Sequence, residues 1–92
     1  MAKWFVFDDK LGKDMYMPFH YSFSTSTKPI CNGESKLCAI YAEDDGNGKP
    51  IIIREDLTRD FIHAVQTEAD HGIVALNEKY KKKYNWFTRI FG

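Results

Sequence analysis

The 92-residue sequence predicts an α+β fold, an antiparallel β-meander of about four short strands packed by one long or two consecutive C-terminal helices. Three observations predict it. Aromatic and β-branched residues in the first 54 positions cluster or alternate over strand lengths. Turn sequences built on Gly12, Gly33 and Gly46 separate those runs. From Asp56 onward the apolar residues recur every three or four positions, the helical period. The length fits one domain with a single core, residues 1–92, strand-rich over 1–54 and helical over 55–92.

Lys3 to Phe7 reads as the first strand, and DDKLGKD after it as a turn. Met15 to Phe23 alternates, with Met15, Met17, Phe19, Tyr21 and Phe23 on one face and Tyr16, Pro18, His20 and Ser22 on the other. Pro18 cannot donate to a ladder, so this strand is an edge or is bulged. Ser24 to Pro29 is a polar loop. Asn32-Gly33 marks a tight turn; centred on Glu34 and Ser35, it sets Cys31 opposite Cys38. Leu37, Ala39 and Tyr41 then face one way, and Cys38, Ile40 and Ala42 the other. A second turn, EDDGNGK, leads to Pro50–Ile53, expected to pair with Ala39–Ala42 as a hairpin.

The helical stripe is Leu57, Phe61, Val65 and Ala69, with Ile62 beside it. Asp56 is the expected N-cap, and Glu55 suits the positive end of the helix dipole. His71-Gly72 has the form of a C-terminal stop, yet Ile73, Leu76, Tyr80, Tyr84, Phe87 and Phe91 continue the spacing. Two abutting helical segments are the preferred reading.

Charge is zero overall but uneven: 8 Lys/Arg face 12 Asp/Glu up to residue 70, and 5 face 1 beyond it. A neutral protein lacks the broad basic field of bulk nucleic-acid binding, although its last 22 residues could form a local basic patch. No apolar run approaches the ~20 residues that span a bilayer. The first residues lack a signal-peptide pattern and predict a cytoplasmic location unless a leader has been removed.

Candidate chemistry is sparse. Cys31 and Cys38, with six residues between them, match neither a redox CxxC nor a metal knuckle; they are two half-buried thiols or a structural disulfide. His63 and His71, about two helical turns apart if the helix is continuous, are too far apart to share an ion. Asp45, Asn47 and Gly48 occupy EF-hand-like places counted from Glu43, but the twelfth place is Arg54 instead of a bidentate Glu. Nothing matches a nucleophile elbow or a phosphate loop. The chain therefore reads as a non-enzyme without cofactor or metal. The best candidate surface is the C-terminal segment, where Trp86 and Ile90 flank the core stripe beside Lys79, Lys82, Lys83 and Arg89. An apolar flank rimmed by basic residues fits a protein groove first and a nucleic-acid backbone second; a membrane is disfavoured.

Trp4, Phe5 and Phe7 fit a W-F-x-F pattern, and Cys31, Gly33, Leu37, Cys38, Ala39 and Ile40 fit C-x-G-x-x-x-L-C-A-I. Asp44, Asp45, Gly46, Gly48 and Pro50 fit D-D-G-x-G-x-P. Over roughly residues 3–66 the chain thus resembles a set of short Bacteroidota proteins of no known activity. The resemblance implies the hairpin reading and a bacterial or phage setting, where proteins of this size often act as inhibitors or accessory subunits. The expected function is a non-catalytic protein-binding module, in its most concrete form a phage- or mobile-element-encoded inhibitor of a bacterial defence enzyme, of the anti-CRISPR kind. The alternative is a structural accessory subunit of a virion or cell-surface assembly, with Cys31 and Cys38 oxidised.

Overall fold

The structure, a computed structural model, describes residues 2–82. Strands β1 (Ala2–Phe7), β2 (Tyr21–Thr25), β3 (Leu37–Glu43) and β4 (Val74–Leu76) form one antiparallel sheet in the order β2-β1-β3-β4. One α-helix among the described residues, α1 (Arg54–Thr67), packs on the sheet. The α+β expectation holds, but the strand order is not that of a meander. β1 lies between β2 and β3, so residues 26–36 must cross the sheet to reach β3. They do so as a strap on the face opposite α1, where Cys31 packs with Cys38, Ala39, Ala75, Trp4 and Val6.

The main core lies between sheet and helix: Phe5, Tyr21, Leu37, Ile40, Val74 and Leu76 against Leu57 and Ala64, with Phe61 and Val65 flanking. A register shift between Leu37 and Ala39 puts Leu37 on the helix face with Ile40, and Cys38 and Ala39 on the strap face. This overturns the simple alternation expected from Leu37 to Ala42.

Other expectations also fail for identifiable reasons. Met15–Phe23 is not one strand. Pro18 fixes a helical φ and opens a 3₁₀ turn, Pro18–His20, after which the strand begins at Tyr21 and extends to Thr25. Tyr21 is buried and donates its hydroxyl proton to the Met15 carbonyl at 2.7 Å, whereas Phe19 and Phe23 are 71% and 57% exposed. Pro50–Ile53 makes no hairpin strand with β3. Only an isolated bridge, Asp44 to Pro50, forms there, and β4 takes the remaining edge of β3.

The helix begins two residues before Asp56, with Ile53 at the N-cap and no side-chain cap; Asp56 and Glu55 lie in the first turn, where they complement the dipole. It ends at Thr67, with Glu68 in the left-handed region at φ 54°. Beyond Gly72 the stripe therefore enters β4 at Val74, and Glu78–Tyr80 is a 3₁₀ turn, so residues 68–82 are not α-helical. Ile73, Val74 and Leu76 satisfy a helical spacing and a β-run alike, and β4 resolves the choice by completing the ladder on β3. Tyr84, Phe87 and Phe91 lie outside the described residues.

Three polar side chains hold β4 in place. Asp60, on the buried stripe of α1, accepts the Ile73 amide at 3.1 Å and the Arg59 Nε–H at 3.2 Å. Asp70 accepts the Leu76 amide at 2.9 Å and pairs with Lys28 and Lys81 at 3.4 and 3.2 Å. Asn77, 2% exposed, accepts from Gly33 N–H and donates to the carbonyls of Ser35 and Leu37. Burial raises the pKa of both carboxyls, but amide and cation partners outweigh it: Ile73 and Arg59 for Asp60, Leu76 and Lys81 for Asp70. Both therefore titrate below the ordinary carboxylate range.

Two predictions follow from this clasp. Gly72 has φ +54°, and a Cβ there would lie 2.2 Å from Asp60 Oδ2, whereas a Cβ on Gly46, φ +93°, meets no atom within 4 Å. Gly72→Ala then loses stability in urea by about 2 kcal/mol or more, and Gly46→Ala by only the backbone term of about 1 kcal/mol. The depressed carboxyls contribute stability fully above their unfolded pKa, about 3.9, and lose it as pH falls through their lower folded values. Urea midpoints measured from pH 7 to pH 2 are expected to fall below about pH 4, with a shallower acid limb in the Asp60→Asn, Asp70→Asn variant.

Candidate functional site

β3 runs past the end of β4. The Tyr41 amide bonds to the Ile73 carbonyl and the Ile51 amide to the Glu43 carbonyl, each at 2.8 Å, so residues 51–53 lie beside the overhang before entering α1. The gap between these pieces is an apolar groove of about 280 Å³, lined chiefly by Ile40, Tyr41, Ala42, Ile51, Ile52, Ile53, Leu57 and Ile73. Glu43 and Asp56 also line it, Asp56 being ion-paired with Arg59 at 3.4 Å. Ile51 and Ile53 are 51% and 60% exposed, a costly placement for adjacent aliphatic side chains without a partner. A groove of this size accepts one or two apolar side chains and holds no nucleophile–base pair. The signal for it was the isoleucine triplet between Pro50 and Arg54, which an assignment to a hairpin strand hides.

The predicted basic surface is only partly within the described residues. Lys79 lies in the 3₁₀ turn, paired with Glu34 at 2.6 Å, while Tyr80 donates its hydroxyl proton to the Glu34 carbonyl. Lys82 follows in non-helical chain, its amide bonded to the Glu68 carbonyl. Lys83, Trp86, Arg89 and Ile90 lie outside the described residues. Lys79 and Lys82 thus do not share the face of one helix. Lys81, which was not a candidate, is an ion-pair partner of Asp70 and Glu78.

His63 and His71 come together, contrary to the spacing argument. The chain reverses after Thr67, and the rings stack at 3.9 Å between centroids, with His71 Nε2 3.9 Å from Asp60. No group of three or more His, Cys, Asp or Glu among the described residues is placed to hold a metal ion. In the EF-hand-like loop, Asp44 accepts the amides of Gly46 and Gly48, and Asp45 those of Asn47 and Lys49. These carboxylates close their own turn.

Cys31 and Cys38 form a disulfide with Cα atoms 5.6 Å apart. It does not bridge a hairpin, since Cys31 lies on the strap and only Cys38 is in a strand. The bond pins the strap to β3, aided by the Glu78 amide on the Cys31 carbonyl at 2.9 Å. No family model, curated protein or solved structure matches the chain. Any functional reading therefore rests on residues and geometry.

A loop this short still restricts the unfolded chain. Cys31→Ser with Cys38→Ser is expected to lower stability by roughly 2–3 kcal/mol in denaturant titration. The α1–sheet core is expected to keep its near-UV signal, because neither cysteine belongs to it.

Proposed function

We propose that this chain is a small non-catalytic protein-binding module whose apolar groove receives a side chain of a partner protein. The observation that carries the reading is the pair of half-exposed isoleucines, Ile51 and Ile53, beside the groove. The basic residues Lys79, Lys82, Lys83 and Arg89, with Trp86 and Ile90, are proposed as a second contact surface for protein or nucleic acid.

In its most concrete form the module is a phage- or mobile-element-encoded inhibitor of a bacterial defence enzyme. That setting is the one implied by the resemblance of the motifs around Trp4, Cys31–Ile40 and Asp44–Pro50 to short Bacteroidota proteins. Expression in hosts carrying single defence systems is expected to restore phage plating against one of them. Ile53→Asp, at an exposed position, is expected to abolish the rescue without lowering the melting temperature. No rescue across the panel would sink the inhibitor reading.

The disulfide favours a second reading, an accessory subunit of a virion or cell-surface assembly, because such bonds persist in oxidising compartments. Thiol titration of protein isolated from its native compartment separates the two: two reactive thiols remove the oxidised accessory subunit. No helix among the described residues is long and apolar enough to cross a membrane.

A further inference from the structure

Two Asn-Gly pairs occur in the chain, Asn32-Gly33 in the strap and Asn47-Gly48 in the loop before Pro50. Asparagine is a thermolabile residue. A following glycine exposes it most, because no side chain keeps the glycine nitrogen from the asparagine side-chain carbonyl. Both asparagines and both glycines are exposed, so access of water does not distinguish the pairs. The difference lies in how firmly the fold holds each glycine amide.

In the strap the pair is fastened on both sides. The Gly33 amide donates to Asn77 Oδ1 at 2.7 Å, and Asn77, itself buried, is anchored by donating to the Ser35 and Leu37 carbonyls. Cys31, on the other side of Asn32, is tied to Cys38 by the disulfide, and its carbonyl accepts the Glu78 amide at 2.9 Å. Freeing the Gly33 amide leaves a buried acceptor unsatisfied and loosens the strap, so it requires a costly local opening. In the loop the Gly48 amide reaches Asp44 Oδ1 at 3.2 Å in an exposed bond, and that oxygen still holds the Gly46 amide at 2.7 Å. Water replaces such a bond at little cost. A Cβ on Gly48 would meet no atom within 4 Å, so the loop has room to rearrange. The charge of Asp44 opposes loss of the neighbouring amide proton, an effect that water weakens at an exposed site.

We propose that Asn47 is a site of spontaneous deamidation in the native protein, and that the clasp on the strap protects Asn32 from the same reaction. The Gly48 nitrogen, its proton passed to hydroxide, attacks Asn47 Cγ. A nitrogen–carbon bond forms, the Cγ–Nδ2 bond breaks, and ammonia leaves with a proton taken from water. Water then opens the five-membered imide at either carbonyl, giving aspartate or, with the backbone rerouted through the side chain, isoaspartate. Water is the only co-reactant. Either product adds a negative charge beside Glu43, Asp44 and Asp45 in a chain of zero formal net charge. The isoaspartate branch also adds a carbon to the backbone inside the loop that the Asp44–Pro50 bridge closes. That loop leads into Ile51, whose amide bonds to the Glu43 carbonyl, so the change falls next to the groove.

Peptide mapping tests the assignment with the two sites as each other's control. Native protein is incubated at mildly alkaline pH and physiological temperature, digested, and its peptides scored for aspartate and isoaspartate. Asn47 is expected to react at least about ten-fold faster than Asn32, a ratio set by the cost of opening the strap. In urea with a thiol reductant, where neither the clasp nor the disulfide persists, the two rates are expected to converge. On isoelectric focusing the native protein is expected to gain an acidic band with time, and Asn47→Gln to lack it. Equal rates at the two sites in the native protein, a faster Asn32, or a preference for Asn47 that persists unchanged in urea overturns the proposal.

Discussion

The hydrogen bond from the Ile73 amide to the buried Asp60 carboxylate is the contact on which the rest of the architecture turns. Asp60 occupies the core stripe of α1 between Leu57 and Ala64, where an apolar residue would ordinarily stand. A buried carboxylate is tolerated only when partners satisfy it, and here the partner is the backbone of the segment that must turn back onto the sheet. Gly72 is small enough to let that backbone approach, and Glu68 in the left-handed region directs the chain there. Once the reversal is made, β4 docks on β3 and closes the main core with Val74 and Leu76.

The opposite face depends on a different device. The crossing from β2 to β3 has no regular structure of its own, yet it covers Trp4, Val6, Ala39 and Ala75. The disulfide and Asn77 fasten it, and Lys28 adds a contact over the Trp4 ring and an ion pair to Asp70. Asp70 thus links strap, β4 and the Lys81 segment in one cluster. What these staples leave uncovered is the functional opportunity. The groove exists because β3 outruns β4.

Much of this was legible along the chain. The first strand, the loop of EDDGNGK, the main helix and its stripe through Leu57, Phe61 and Val65 are local patterns, and they form where propensity and period place them. The failures lie where two patterns fit one segment. Met15–Phe23 alternates like a strand, but Pro18 converts its middle into a 3₁₀ turn. Ile73–Leu76 carries both periods, so spacing alone extends the helix through Gly72. His63 and His71 looked distant because their separation was counted along a helix that ends at Thr67.

By itself the sequence determined an α+β fold, its strand-forming beginning, the start of a helix near residue 55 and the positions of most turns, because those choices depend on residues within a few places of one another. Only the tertiary structure decided the strand order, the side from which the strap crosses, and the capture of β4 by a carboxylate thirteen residues away in sequence. Those are long-range selections among locally equivalent options. They are settled by which arrangement buries the apolar faces while giving each buried amide an acceptor.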